Sequence, residues 1–533
     1  MKKLLATVLA AGLLACGPAQ TSNITSGGER GGAIADKTGS SATAASGPSS
    51  FRAKQPAPGT PRPFQLPSVQ TFKLGEAIDV YLVEDHSLPT VSVSLVFDGG
   101  AMTDPAGKEG LASVCMDMLT EGTRRLDKLA FQRKLADIGS DVWSWASVDT
   151  QGLGMRTLSK NFEGTLKLFR QSLRAPGFRG ADLKRMVKRR IQSIKQAKGN
   201  PGSVAGRLLW SVTFGPKHPR GRISTENSLR KIRVADCRRY QRAYLKPRGA
   251  RLFVVGDLTK EQVETSFSKL LKGWKGKPKL PTMPARAPRD GRIFFVNIPG
   301  AAQSSVYLTH SGPERKDPQY FANWMMAQVF GGSFSARVNM NLREDKGYSY
   351  GARGGFSYNR MFGTFYAGAS VRSDSTIQSI RELYKEMKDL RDWKRKATTS
   401  ELTREKNGAI LALPARFATA KQALSQYRNL VYFGLSLDYY NTFVSKVNKV
   451  GLDQVNMAAR AQLQPGNVQL LVVGDGKAAM KVRENGKDVP MVDRDGKPIT
   501  LLVALKMMAA EKEMGAGGLV ILDADGKIEN NSK

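Results

Sequence analysis

Alternation of apolar and polar positions marks short strands at Val80–Leu82 and Val91–Phe97, and again at Ile293–Val296 and Val306–Thr309. Each strand pair is followed by a segment of helical spacing, Leu111–Leu119 and Ala322–Phe330. Further helices are predicted over Phe162–Arg174, Gly180–Lys198 and Lys260–Leu271, then over Ser375–Leu390, Thr398–Leu413 and Ala420–Leu430. Each series closes on an apolar strand ending Val-Val-Gly-Asp, at Asp257 and Asp475. Strands and helices mixed without regular βα alternation predict an α+β fold, helices packed on a mainly antiparallel or mixed sheet.

The two series are copies of one another. Arg242–Asp257 aligns without gaps on Arg460–Asp475, with nine of sixteen positions identical at an offset of 218 residues. Ser92–Pro105 matches Ser305–Pro318 at an offset of 213. Solenoid repeats recur every ~20–50 residues, so a repeat of this length is a whole domain. The predicted boundaries are 67–278 for the first domain, 279–483 for the second and 484–533 for a tail. The tail carries a helix over Leu501–Met514 and two Asp-x-Asp-Gly segments, at Asp493 and Asp523. These lack the full spacing of a calcium loop and its bidentate Glu, and are read as hairpin turns.

Residues 17–66 have no apolar period and are rich in Gly, Ser, Ala, Thr and Pro, the composition of a disordered tether. Lys2 and Lys3, then an apolar run Leu4–Leu14, make an export signal too short to span a bilayer. The run ends Leu13-Leu14-Ala15-Cys16, which resembles a bacterial lipobox. Residues 1–16 are therefore expected to be a lipoprotein signal peptide, with Cys16 lipidated. This implies anchoring in the cell envelope, at the outer membrane facing the periplasm. Cys115 and Cys237 are read as two buried free thiols, a single disulfide in an oxidising periplasm being the alternative.

Eighty-two Lys and Arg against 46 Asp and Glu give a formal charge of +36, which suits anionic envelope surfaces. No nucleic-acid motif appears, and an exported lipoprotein is not expected to meet nucleic acid.

Gly110–Thr123 reads Gly-Leu-Ala-Ser-Val-Cys-Met-Asp-Met-Leu-Thr-Glu-Gly-Thr. It resembles the metal-binding helix of the insulinase/pitrilysin family of zinc peptidases, in which two histidines flank a general-base glutamate. Those positions here are Ser113, Met116 and Asp117, and the third-ligand position falls on Ser193. Gly199–Gly221 and Phe330–Ala352 resemble two further family segments. The resemblance implies two homologous α+β domains forming half of a clamshell around an extended peptide. It implies no zinc in this chain: the three histidines, His86, His218 and His310, include no pair four residues apart. Lys184, Arg185, Lys188, Arg189, Arg190 and Lys195 crowd the helix that carries Ser193, as a solvated face or a docking site.

The family's second-domain motif survives as Arg343 and Tyr350, seven residues apart across a helix end, Gly347 and a strand start. In the family this pair reaches a zinc site on the other half: tyrosine donates to the oxyanion and arginine holds substrate. Tyr348 is the second candidate for the hydroxyl. Ser140–Thr150 corresponds to the family's substrate-pairing edge strand, with Trp143 and Trp145 on one face as either core or substrate contacts. The chain is thus expected to be the metal-free half of a heterodimeric peptidase, without zinc-dependent activity alone, supplying Arg343 and Tyr350 to a zinc-bearing partner. The alternative is a non-catalytic peptide-binding or scaffold lipoprotein of the same fold.

Overall fold

The structure, a computed structural model, describes residues 66–529 apart from 76, 286–289, 485 and 516. The expected signal peptide, Cys16 and the tether up to residue 65 lie outside the described residues. The first half runs β1 (Gln70–Leu74), β2 (Ile78–Glu84), β3 (Thr90–Asp98), α1 (Leu111–Asp117), α2 (Lys128–Asp137), β4 (Asp141–Ala146), β5 (Thr150–Leu158), α3 (Phe162–Arg174), α4 (Gly180–Ala197), α5 (Pro201–Phe214), α6 (Glu226–Arg230), α7 (Val234–Tyr244), β6 (Ala250–Gly256) and α8 (Lys260–Leu271).

The second half runs β7 (Arg292–Asn297), β8 (Gln303–Gly312), α9 (Tyr320–Ala327), α10 (Arg337–Asn339), a π-helix over Met340–Asp345, β9 (Ser349–Tyr358), β10 (Gly363–Arg372), α11 (Thr376–Arg391), α12 (Thr399–Leu411), α13 (Ala420–Phe433), α14 (Phe443–Asn448), α15 (Leu452–Gln462) and β11 (Gln469–Gly474). A hairpin of β12 (Lys481–Glu484) and β13 (Lys487–Pro490), then α16 (Leu501–Ala510) and β14 (Leu519–Leu522), follow. The fold is α+β. No helix among the described residues is long and apolar enough to cross a membrane.

Two six-stranded sheets, in the orders β1-β2-β6-β3-β5-β4 and β14-β7-β11-β8-β10-β9, share one topology over five strands and differ at the outer one, where β1 is antiparallel to β2 and β14 parallel to β7. The first two predicted strands of each half are therefore not hydrogen-bonded neighbours. The Val-Val-Gly-Asp strand lies between them, parallel to one and antiparallel to the other. The reason is its composition: β6 and β11 are apolar on both faces, and only a central strand with both faces covered buries such a run. Leu252 and Val254 enter the first-half core, while Phe253 and Val255 join the second-half core from the opposite face.

That opposite face is covered by exchange. α13, from the second half, packs on β6, and α5, from the first half, packs on β8 and β11. Val204, Leu208 and Val212 of α5 meet Phe294, Val296, Leu471 and Val473 of the second sheet. The whole described chain is one compact unit for this reason. A further tie is the ion pair of Arg360 with Asp98, 2.7 Å.

The tail is part of this unit. β14 adds to the second sheet parallel to β7, and the turn after it carries Asp525 to Lys198 (2.6 Å) and Arg207 (3.0 Å) of the first half. Both Asp-x-Asp-Gly segments are turns: Asp493 accepts the N–H groups of Asp495 and Lys497, as Asp523 does from Asp525 and Lys527, all at 2.9 Å.

The expectation of two free thiols is corrected. Cys115 on α1 and Cys237 on α7 form a disulfide, with Cα atoms 4.8 Å apart across a separation of 122 residues. The helices pack side by side, a neighbourhood that sequence spacing does not encode.

Candidate functional site

The helix that resembles a metal-binding helix is built from its N-terminus. Asp104 turns both carboxylate oxygens onto the free N–H groups at the start of α1, accepting from Gly110 and Ala112 at 2.7 Å each. Burial pushes this carboxyl up to about 6, against the pull of the two N–H groups. The folded chain thus holds a proton that the unfolded chain releases near its ordinary value of 3.8. The sign follows: this group favours folding at low pH and loses that contribution as pH rises through about 6. Urea unfolding of Asp104→Asn between pH 4 and 7 should therefore show the variant gaining stability relative to wild type as pH rises. A difference that is flat with pH would refute this.

Along α1, Ser113 and Asp117 lie four residues apart on one face, while Met116 is fully buried in the core. The groups that meet this face are cationic. Arg190 of α4 donates to Ser113 Oγ at 3.0 Å and forms an ion pair with Asp117 through the same nitrogen. Ser193, one turn further on, is exposed and has no hydrogen bond to either residue. These residues do not fit a zinc ion. Two hydroxyls, one of them on the exposed Ser193, and one carboxylate are not a three-ligand set, a buried thioether stands in the general-base position, and a guanidinium occupies the approach to the only carboxylate. No cluster of three or more His, Cys, Asp or Glu side chains able to hold a metal exists among the described residues. Arg190 was visible in the sequence only as one of a run of cations.

Beside α1 runs β4, the edge strand of the first sheet. Trp143 and Trp145 are paired with Gly154 and Gly152 of β5, and their rings occupy the space above those glycines. A Cβ at either glycine would come within 2.4 Å of an indole ring, so the two aromatic shelves require glycine beneath them. Both rings line a cavity of about 460 Å³ between the sheet and α13, with Arg360, Arg428 and Tyr432. Trp143 is 40% exposed, whereas Trp145 packs against the second-half core. Trp145 is thus half-buried between the core and the cavity, and Trp143 is the more exposed of the two rings.

In the second half, Arg343 lies on the π-helix and Tyr350 at the start of β9, the edge strand of the second sheet. The turn between them needs Gly347, whose φ of 65° is left-handed. Its N–H caps the helix at Arg343 O (3.2 Å), and the Tyr348 N–H reaches Leu342 O (2.8 Å). The two tyrosines differ in burial: Tyr348 lies in the turn before β9, and Tyr350 stands on the strand itself. Tyr348 is 3% exposed, its hydroxyl pushed up by burial, and Tyr350 is 89% exposed. Arg343 stands over the exposed Phe334 ring at 4.7 Å and near Glu344 at 3.4 Å. No hydrogen bond joins Arg343 to Tyr350, and no contact of either reaches Ser113, Met116, Asp117 or Ser193. Phe334, which holds the guanidinium, was not foreseen; an aromatic residue nine positions before an arginine carries no sequence signal of contact. Arg337, part of the same motif, is a buried clamp bonded to Glu401 through two nitrogens at 2.7 Å.

Two repeated α+β halves with a metal-helix frame filled by an arginine define a peptidase homologue without the metal ligand set. The chain belongs to the insulinase family, peptidase family M16. The family model described as "Insulinase (Peptidase family M16)" matches residues 79–219, and that described as "Peptidase M16 inactive domain" matches residues 231–408, together more than half the chain. The "Non-peptidase homolog YmxG" of Helicobacter pylori is 21% identical over 75% of this chain and 92% of its own. The "Zinc protease PqqE" of the same organism is 21% identical over 61% and 75%. Among solved structures, the peptidase M16 inactive domain from Pseudomonas fluorescens superposes with TM-score 0.70 and 24% identity, covering 76% of this chain and 98% of that one. The periplasmic protease PqqL from Escherichia coli gives 0.65 and 14%, covering 78% and 46%.

Proposed function

We propose that this chain is the metal-free half of a two-chain peptidase. A separate insulinase-like subunit would carry the zinc, and this chain would contribute Arg343 and Tyr350 to the composite site. Extended peptides in the bacterial envelope would be the substrates, with Cys16 lipidated as the anchor. The observation that carries the reading is the contrast between two sites. Arg190 fills the ancestral metal face, while Tyr350, at 89% exposure, presents a phenol to solvent, and Arg343, seven residues earlier, is half-exposed on the π-helix. The pair needs another chain to act upon. Arg343 presents a fork of donors to a peptide carbonyl or carboxylate, and the Tyr350 hydroxyl donates to the oxygen that becomes negative in the tetrahedral intermediate. β4 and β9 offer free edges along which an extended peptide can add as a strand. The disulfide supports an oxidising compartment, and the PqqL structure is described as periplasmic.

The test mixes this chain with a zinc-bearing family member and follows cleavage of an unfolded fluorogenic peptide. Tyr350→Phe should lower kcat about 10²–10³-fold, the typical effect of one oxyanion donor. Tyr348→Phe should leave it unchanged, and Arg343→Ala should raise KM. Full activity of both the Tyr350→Phe and Arg343→Ala mixtures would exclude the composite site. A scaffold role is the second reading, favoured by the relative described as a non-peptidase homologue. It requires that the partner's cleavage rate be indifferent to this chain.

A further inference from the structure

Far along the chain from both motifs, α7 carries Arg238 and Arg242 one turn apart, and Lys246 follows just past its end. Across a cavity of about 740 Å³ they face Arg124, Arg174 and Lys275. Six cations line this space, and no carboxylate does. Other cationic side chains at the folded positions described above, such as Lys198, Arg207, Arg337 and Arg360, are each paired with a carboxylate. Here the side chains of Arg124, Arg238, Arg242, Lys246 and Lys275 make no ion pair or hydrogen bond among the described residues. Arg174 is fixed in place without being neutralised. Its guanidinium donates to Leu270 O (3.3 Å) and Gly273 O (3.1 Å), and lies 5.5 Å from the centre of the Trp274 ring.

Like charges converging on a concave wall repel one another, and the wall concentrates their field on whatever enters. A single phosphate would neutralise only a fraction of six cations. Arginine forks match phosphate oxygens in pairs, whereas lysines act as point charges around them. We propose that this cavity binds a ligand with two or more phosphate groups close together, either a free polyphosphate or the phosphorylated headgroup of an anionic lipid. The site is independent of the peptidase reading, and the high positive charge of the chain gains one specific destination.

Titration calorimetry of the full chain with sodium tripolyphosphate tests it. One-to-one binding is expected, weakening steeply with salt. Arg238→Gln/Arg242→Gln should weaken it about tenfold or more, since charge-assisted bonds of this kind are each worth about a factor of ten. Lys184→Gln/Lys188→Gln removes the same charge from the face of α4 and should leave affinity within about twofold. The first variant relieves repulsion, so its melting temperature should be equal to or above wild type. Should it fail to fold, Lys246→Gln/Lys275→Gln takes its place. A second arm sediments the chain with vesicles of cardiolipin in phosphatidylcholine. Binding that tripolyphosphate displaces and Arg238→Gln/Arg242→Gln abolishes assigns the headgroup as ligand. Tripolyphosphate binding without vesicle binding assigns a soluble one. Equal loss in the α4 variant, or no saturable binding in either arm, overturns the proposal.

Discussion

Replacing Arg337 by alanine should destabilise the chain by about 3–5 kcal/mol, read as a lower urea midpoint at pH 7. The residue is 7% exposed. Besides its two bonds to Glu401, it donates to the backbone carbonyls of Arg395 (2.5 Å) and Lys396 (2.7 Å). Alanine leaves the Glu401 carboxylate with only its bonds from Thr398, and two backbone carbonyls without this donor. Arg337→Lys should recover only part of the loss, because an ammonium cannot satisfy the two-pronged contact and both carbonyls at once. Burial pushes the Glu401 carboxyl up, but its bonds to Arg337 and to the Thr398 N–H outweigh this and hold it below the ordinary 4.5. A depressed carboxyl stabilises the fold above its unfolded value and loses that contribution as pH falls through its folded value. The gap between wild type and Arg337→Ala should therefore narrow below about pH 4.5. A variant as stable as wild type at pH 7 would mean that the clamp is not formed. Because Arg337 opens the helix that carries Arg343, the same variant should also raise KM in the mixed-chain assay.

Loss of the Cys115–Cys237 bridge should cost about 2–5 kcal/mol, toward the upper end because the closed loop is long. Cys115→Ala/Cys237→Ala should show this in urea unfolding, and dithiothreitol should lower wild-type stability by a similar amount without affecting the variant. A non-reduced digest should contain the two cysteine peptides as one linked species. Quantitative alkylation of both thiols before reduction would disprove the pairing. The bridge ties α1 to α7, so its loss loosens the helix that holds Ser113 and Asp117 against Arg190. The same helix α7 carries Arg238 and Arg242 along its exposed face.

The sequence by itself determined the α+β class, the duplication, the positions of most helices and strands, the loss of metal ligands at Ser113, Asp117 and Ser193, and the loss of the general base at Met116. These are local properties: periodicity follows from backbone geometry, and a missing imidazole is missing in any fold. It also placed Arg343, Gly347 and Tyr350 across one helix–strand turn, since a left-handed glycine is a local requirement. Only the tertiary structure decided which neighbours these elements meet. The last strand of each half moved between the first two because both of its faces are apolar, and no strand states its partner. The helix exchange of α5 and α13, the docking of β14, the Cys115–Cys237 pairing and the approach of Arg190 to Asp117 join segments from tens to hundreds of residues apart. Tyr348 and Tyr350 are the same residue type two positions apart, and which phenol reaches solvent was settled by the packing of β9 against the π-helix. Pattern specifies the faces of an element; what covers each face is fixed only when distant segments compete to bury it.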